Sequence, residues 1–235
     1  MPSKRTRLDR FLSAHIGISQ KATRLILAQG RVLVDGCIAS DRQQLIDEFS
    51  HLIFDDQVLQ SNTPRYLMLN KPPGVVSATK DDKHKTVIDL LDRSDRNNLH
   101  IVGRLDFNST GLLLLTNDGR WSRRLTEPDN KVSKLYQVKL ADPITQATVD
   151  AFAEGMYFEY EDIITRPAEL RIINDYEAEV SLTEGKYHQI KRMFGRFQNE
   201  VLKLHRIAIG NLALDLSLAT GESRELSTEE VCTIR

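Results

Sequence analysis

Leu8, Phe11 and Leu12 recur at i, i+3 and i+4, so residues 7–14 predict a short helix. Ser19 can cap a second helix with Ala22, Leu25 and Ile26 on its apolar side, and Gly30 suits its stop. Val32 and Val34 then alternate as a strand, turned by Asp35-Gly36. The polar, proline-bearing stretch Gln60–Arg65 marks a linker.

Beyond it the pattern changes to short strands with scattered helices. Strands are predicted over Arg65–Leu69, Val75–Thr79, Ile101–Gly103, Leu112–Thr116, Tyr136–Leu140, Ala168–Ile173, Glu177–Thr183 and Val201–Ile207. Helices are predicted over Trp121–Leu125, over Thr145–Glu154 with Val149 and Phe152 inward, and over Lys186–Phe197. Asn70-Lys71-Pro72-Pro73-Gly74 is a tight turn and Asp81–Lys85 a charged loop. No regular βαβ alternation appears. The fold class is therefore α+β with a mainly antiparallel or mixed sheet. The organisation is a small unit over 1–60, a linker over 61–65 and a larger unit over 66–235.

Composition narrows this picture. The hydrophobic fraction of 40% supports a packed core. No apolar run has the length of a membrane helix, and the basic start MPSKRTRLDR is followed by no apolar signal segment, so a soluble, cytoplasmic protein is expected. Two cysteines far apart, Cys37 and Cys232, form no disulfide framework, and the histidines lack HxxxH or HExxH spacing, so no metal site and no cofactor are expected.

The net charge of −1 hides an asymmetry. Residues 1–42 hold eight Lys or Arg against three acids, a surplus of five positive charges. The next eighteen residues carry four acids and no Lys or Arg. A front-loaded charge of this kind suits phosphate, and Arg5, Arg7, Lys21, Arg24 and Arg31 are the candidate RNA contacts. A solvated helix face would read the same way.

The segment Gly103-Arg104-Leu105-Asp106-Phe107-Asn108-Ser109-Thr110-Gly111 sets a polar loop between two apolar strands, where catalytic groups are commonly held. Asp, Asn and Ser are also turn formers, so composition alone favours a structural loop.

Two resemblances alter that balance. RLDRFLSAHIGIS and KATRLILAQGRVLVDG, within roughly residues 5–60, resemble the S4 RNA-binding domain, whose helix pair lays a basic face on RNA. GRLDFNSTGLLLLTNDG resembles the central motif of the RsuA-type pseudouridine synthases, joined by NKPPG at 70–74, by Lys134-Leu135-Tyr136 and by EGKYHQIKRMF at 184–194. That resemblance implies Asp106 as the catalytic carboxylate, Tyr136 against the target base, and Lys191 as the cation paired with the carboxylate. It also implies Leu204 as an apolar neighbour of the tyrosine. A core tyrosine, an exposed helix lysine and a core strand leucine are their structural alternatives.

Physically the roles cohere. Moving uracil from an N1 link to a C5 link needs no redox step and no external group. A hydrolytic glycosidase commonly uses two carboxylates, whereas an isomerase that keeps its leaving base can work with one. Asp106 can add covalently or take a proton from the ribose, and a nearby cation favours its ionised form. The uridine must leave its stack to reach it. Arg104 either fills the vacated space or holds a phosphate, or else forms a structural ion pair with Asp106.

The KYHQIKRMF run resembles the small-subunit members, and large-subunit relatives more often have Asn-Arg where Tyr187-His188 stands. The resemblance thus implies a monomeric enzyme acting on 16S ribosomal RNA in a small-subunit assembly intermediate, at uridine 516, with no membrane partner. A member acting on 23S RNA is one alternative. A non-catalytic S4-bearing assembly factor is the other, disfavoured by the intact GRLD, KLY and HQIK segments.

Overall fold

The computed structural model describes residues 5–234, and the chain divides into two units between Pro64 and Arg65. No helix among the described residues is long and apolar enough to cross a membrane.

In the N-terminal unit, β1 (Thr6–Arg7) leads into α1 (Leu8–Ile16), which ends at Gly17 in the left-handed conformation. Helix α2 (Gln20–Ala28) is capped by the Ser19 hydroxyl, which accepts from the Ala22 amide. Strands β2 (Val32–Val34), β3 (Cys37–Ile38), β4 (Leu45–Ile46), β5 (Leu52–Phe54) and β6 (Gln57–Gln60) follow. β4 pairs with β1, and the other four form a sheet in the order β3-β2-β5-β6. The turn after Val34 has positive φ at both Asp35 and Gly36, as a two-residue hairpin demands. Leu8, Phe11, Leu12, Ile26, Leu27, Val32 and Leu52 build the core. Leu25, expected on the apolar side of α2, is instead 60% exposed, because the buried stripe runs through Thr23, Ile26 and Leu27.

The larger unit comprises β7 (Tyr66–Lys71), β8 (His100–Val102), β9 (Thr110–Thr116), α3 (Gly119–Thr126), β10 (Lys134–Leu140), α4 (Gln146–Glu154), β11 (Tyr157–Phe158), β12 (Ile163–Ile164), β13 (Glu169–Asn174), β14 (Glu177–Leu182), α5 (Gln189–Gly195), β15 (Val201–Ile209), β16 (Leu212–Ala213), β17 (Ser223–Glu225) and α6 (Thr228–Thr233). One sheet runs β13-β14-β10-β15-β9-β7-β17, with β16 on β15 and β8 on β9. Its pairs are antiparallel except β9 with β15, which run parallel. The α+β class with a mixed sheet is thus what the chain adopts.

Alternation along the central strands explains why both faces are covered. Leu113 and Leu115 face one core with Leu67, Leu69, Val138, Phe152 and Phe194, whereas Leu112 and Leu114 face a second core with Met68, Trp121, Leu125 and Ile209. A run of four leucines buried on both faces fixes β9 in the middle of the sheet. The catalytic candidates sit at its entry.

Two further sequence expectations fail for identifiable reasons. Val75–Thr79 forms no strand beyond one bridge, Val76 to Thr86, because Ser77 bonds the loop at Leu105 rather than a ladder neighbour. The helix expected from Lys186 starts only at Gln189, because His188 is left-handed at φ +49°.

The parallel crossing has a tight point. Gly111 has φ +99°, and a Cβ there would stand 2.3 Å from the Arg206 carbonyl oxygen. A Gly111→Ala variant should therefore lose on the order of 3 kcal/mol of stability. Trp121 is the sole tryptophan and is buried, so urea unfolding followed by its fluorescence reads this directly. An unchanged midpoint would show that the strands separate at no cost.

Candidate active site

Asp106 stands in the loop between β8 and β9. Its Oδ2 lies 3.4 Å from Lys191 Nζ and its Oδ1 lies 3.5 Å from His188 Nε2. Each carboxylate oxygen thus faces one nitrogen from the start of α5. The carboxylate is 28% exposed, so it is reachable from solvent.

Most of the carbonyls of this loop are engaged. Lys71 Nζ donates to the carbonyls of Pro72 (3.0 Å), Phe107 (3.2 Å) and Ser109 (2.9 Å). The Gly74 amide also donates to Phe107 O, at 2.9 Å. The Ser77 hydroxyl donates to Leu105 O and accepts from Leu105 N. Ser109 N closes back on Asp106 O at 3.1 Å. From β15, the Arg206 guanidinium donates to Leu112 O at 2.7 Å, Gly103 O at 3.3 Å and Arg104 O at 3.5 Å. Lys71 is 0% exposed and Arg206 2% exposed, and neither has a carboxylate partner among the described residues. Two buried cations therefore hold the loop through its carbonyl dipoles, one at each end.

Burial pushes the Lys71 ammonium down to about 8, with the Asp106 charge opposing the shift. A cation set among carbonyl oxygens keeps its hydrogen bonds but loses the solvation of water.

Tyr136, from β10, is buried, and its hydroxyl accepts from Arg206 at 3.5 Å. The same arginine thus touches the tyrosine and the loop. Leu204, opposite Val138 on β15, lines a cavity of about 610 Å³ with Asn108, Ser109 and Lys191. Of the proposed residues, Asp106 and Lys191 meet directly, Leu204 shares the cavity with Lys191, and Tyr136 joins through Arg206. Arg104 is exposed and pairs with no acid among the described residues, so its ion pair with Asp106 does not form.

The EGKYHQ segment is shaped by two buried polar side chains. Gln189 Oε1 accepts from the Lys186 amide at 3.0 Å, and its Nε2 donates to Glu184 Oε1 at 2.7 Å. Glu184 also accepts from the Arg166 amide. These bonds hold residues 184–189 as a loop and bring His188 over Asp106.

Among the candidate RNA contacts, Arg5, Lys21 and Arg24 are exposed and carry no ion pair among the described residues. Arg7 is bound to the buried Asp9. Arg31 forms a bidentate pair with Asp55 and lies 5.0 Å from the Phe54 ring centre.

Sequence reasoning assigned no role to Lys71, Ser77 or Arg206. A signal existed for two of them. Lys71 ends an apolar strand at a buried position, and Arg206 follows Leu204 on the inward parity of β15.

One carboxylate on a carbonyl-pinned loop thus meets an amine from α5, and a buried tyrosine of β10 is tied to the same loop through Arg206. Residues 65–195 match the family model described as RNA pseudouridylate synthase, and the chain belongs to that family of isomerases. It is 48% identical over 229 residues to "Ribosomal small subunit pseudouridine synthase A" of Pseudomonas aeruginosa, covering 97% of this chain and 100% of that protein. Its namesake in Escherichia coli K12 is 40% identical, with 97% and 99% covered. A solved structure described as a pseudouridylate synthase superposes with a TM-score of 0.72 at 38% identity, covering 97% of this chain and 99% of that one.

The Lys71 geometry yields a pH prediction. The folded state releases this proton at about 8, while the unfolded chain keeps it to the ordinary lysine value of 10.5. Between those values the unfolded state binds more protons, so stability gains as pH rises. Below about 8 the buried charge works against folding. The stability of the parent minus that of Lys71→Met should therefore climb by about 1 kcal/mol per pH unit between pH 8 and 10.5. Parallel curves would mean that Lys71 carries no depressed charge.

Proposed function

We propose that this enzyme isomerises one uridine of small-subunit ribosomal RNA to pseudouridine, with Asp106 as its catalytic carboxylate. The observation that carries the reading is the pairing of Asp106 with Lys191 on a loop whose carbonyls are already bound. The small-subunit relatives at 40–48% identity supply the substrate class, and the motif resemblance of the KYHQIKRMF run supplies uridine 516 of 16S RNA as the target.

The reaction balances without an external reagent. The N1–C1′ bond breaks, a C5–C1′ bond forms, and the proton on C5 leaves while N1 gains one. Two routes use the same carboxylate. In one, Asp106 attacks C1′ and is later displaced by C5. In the other, it removes the C2′ proton and returns it once the base has turned. Both need an anion held in a fixed place, and the Lys191 ammonium 3.4 Å away compensates its charge. Tyr136 supplies the flat face for uracil, and Leu204 the apolar wall.

The N-terminal unit, read as S4-type, supplies phosphate contacts. Lys21 and Arg24 carry that role more than Arg31 or Arg7, whose charges are already compensated within the unit. The RNA is met in the cytoplasm, within a small-subunit assembly intermediate, by a single copy of the chain.

Asp106→Asn keeps the size of the side chain and removes its charge. We expect no measurable pseudouridine, with RNA affinity within about tenfold of the parent, or roughly 1.4 kcal/mol. Nucleotide-resolution pseudouridine mapping of 16S RNA incubated with each protein is the test. Turnover by a pure Asp106→Asn preparation would remove the carboxylate from its role, and modification confined to 23S RNA would replace the substrate.

A further inference from the structure

Tyr187 is a large aromatic residue left 70% exposed on a segment that is otherwise tightly built. One face of its ring is covered. His188 stacks on it with ring centres 3.9 Å apart and an interplanar angle of 19°. The same imidazole reaches Asp106 Oδ1 at 3.5 Å. The order is therefore carboxylate, imidazole, phenol, solvent.

The backbone spends conformational freedom on this arrangement. His188 occupies the N-cap position of α5 at φ +49°, a region costly for a residue with a Cβ. Its side chain makes no capping bond. An N-cap residue that gives up capping and takes a left-handed conformation is held for what its ring touches, and here it touches Asp106 and Tyr187.

The pedestal is braced from a second element. Arg192 donates to the Tyr187 carbonyl at 3.4 Å, forms two 2.7 Å bonds to Glu161 between β11 and β12, and stacks 3.7 Å from the Phe158 ring centre. Together with the Glu184–Gln189–Lys186 bonds, this fixes the tyrosine backbone before any ligand arrives. A preset aromatic face loses little entropy on binding. Lys186, the exposed residue before Tyr187, carries the sign that suits a phosphate chain.

We propose that the open face of Tyr187 stacks on the nucleobase adjacent to the target uridine, and that His188 transmits the seating of that base to the Asp106 carboxylate. The proposal rests on the reading of this chain as a 16S RNA pseudouridine synthase and adds a contact outside the uracil pocket. A flanking base is the occupant the geometry favours. The stack begins at the reacting carboxylate, so what lies on its far side belongs to the strand that delivers the uridine. Stacking on an aromatic side chain accepts any base, so Tyr187 adds affinity and register more than sequence preference. His188 is a positioning residue, acting through Asp106.

The test uses the full chain and in vitro transcribed 16S RNA carrying tritium at C5 of uridine, released as pseudouridine forms. Single-turnover rates are measured across enzyme concentration. Tyr187→Ala should raise the half-saturating concentration about tenfold while the maximum rate changes by less than about threefold. Tyr187→Trp, which keeps a flat face, should behave as the parent. His188→Ala should show the opposite split, with the maximum rate down about tenfold and half-saturation little changed. The decisive arm uses 16S RNA ligated with an abasic residue on the 5′ or the 3′ side of the target. One of the two should weaken the parent as much as Tyr187→Ala does, and should leave the variant no weaker still.

Tyr187→Ala matching the parent would overturn the proposal. So would a defect that persists in full on both abasic RNAs, since the tyrosine would then be a structural prop. His188→Ala keeping the parent's maximum rate would remove the link to Asp106. If the parent itself forms no pseudouridine in 16S RNA, the underlying reading fails and takes the inference with it.

Discussion

The grip of two buried cations on backbone carbonyls is the constraint from which the rest of the site follows. Lys71 holds the carbonyls of Phe107 and Ser109, and Arg206 holds those of Gly103, Arg104 and Leu112. A buried charge without a counter-ion is costly, and six carbonyl dipoles recover only part of what water would give. The depressed Lys71 proton affinity records that unrecovered part. A carboxylate partner would stabilise either cation better. It would also place a second negative charge beside Asp106. The fold keeps the loop rigid and the acid alone.

A lone carboxylate is what an isomerisation needs. Hydrolysis of a glycosidic bond commonly divides acid and nucleophile between two carboxyl groups. In the proposed reaction the leaving base stays in place and becomes the new bond partner, so a single anion can serve throughout. Positioning then matters more than proton supply. The geometry reflects that division: Lys191 and His188 hold the two carboxylate oxygens, while Arg206 connects the loop to Tyr136, the face proposed for uracil. Gly111 lets β9 and β15 approach closely enough for Arg206 to reach across.

Much of this was legible in the chain. The period-two strands, the Ser19 cap and the Asp35-Gly36 turn are local signals, and the cap and the turn form where their chemistry places them. What escaped depends on distant partners. Val75–Thr79 has the composition of a strand, yet Ser77 is spent on Leu105, 28 residues away. Tyr187 and His188 continue a helical pattern, yet Gln189 and Glu184 bond across the segment and delay the helix. The resemblance carried Asp106 and Lys191, whose 3.4 Å approach spans 85 positions that no periodicity relates. Lys71 sat inside a quoted motif without a role, because a lysine's burial is decided by what the sheet places over it. The pairing of Arg31, a candidate phosphate contact, with Asp55 is likewise set by a residue 24 positions away.

The bonds from Lys71 and Arg206 should keep the loop around Asp106 rigid before RNA arrives. Amide hydrogen exchange on the RNA-free protein tests it most directly. The amides of Gly74, Leu105 and Ser109, which donate to Phe107 O, Ser77 Oγ and Asp106 O, should exchange as slowly as those of β9. Exchange of these amides at the rate of the exposed segment 80–85 would show that the loop is ordered by substrate instead, and would contradict the account.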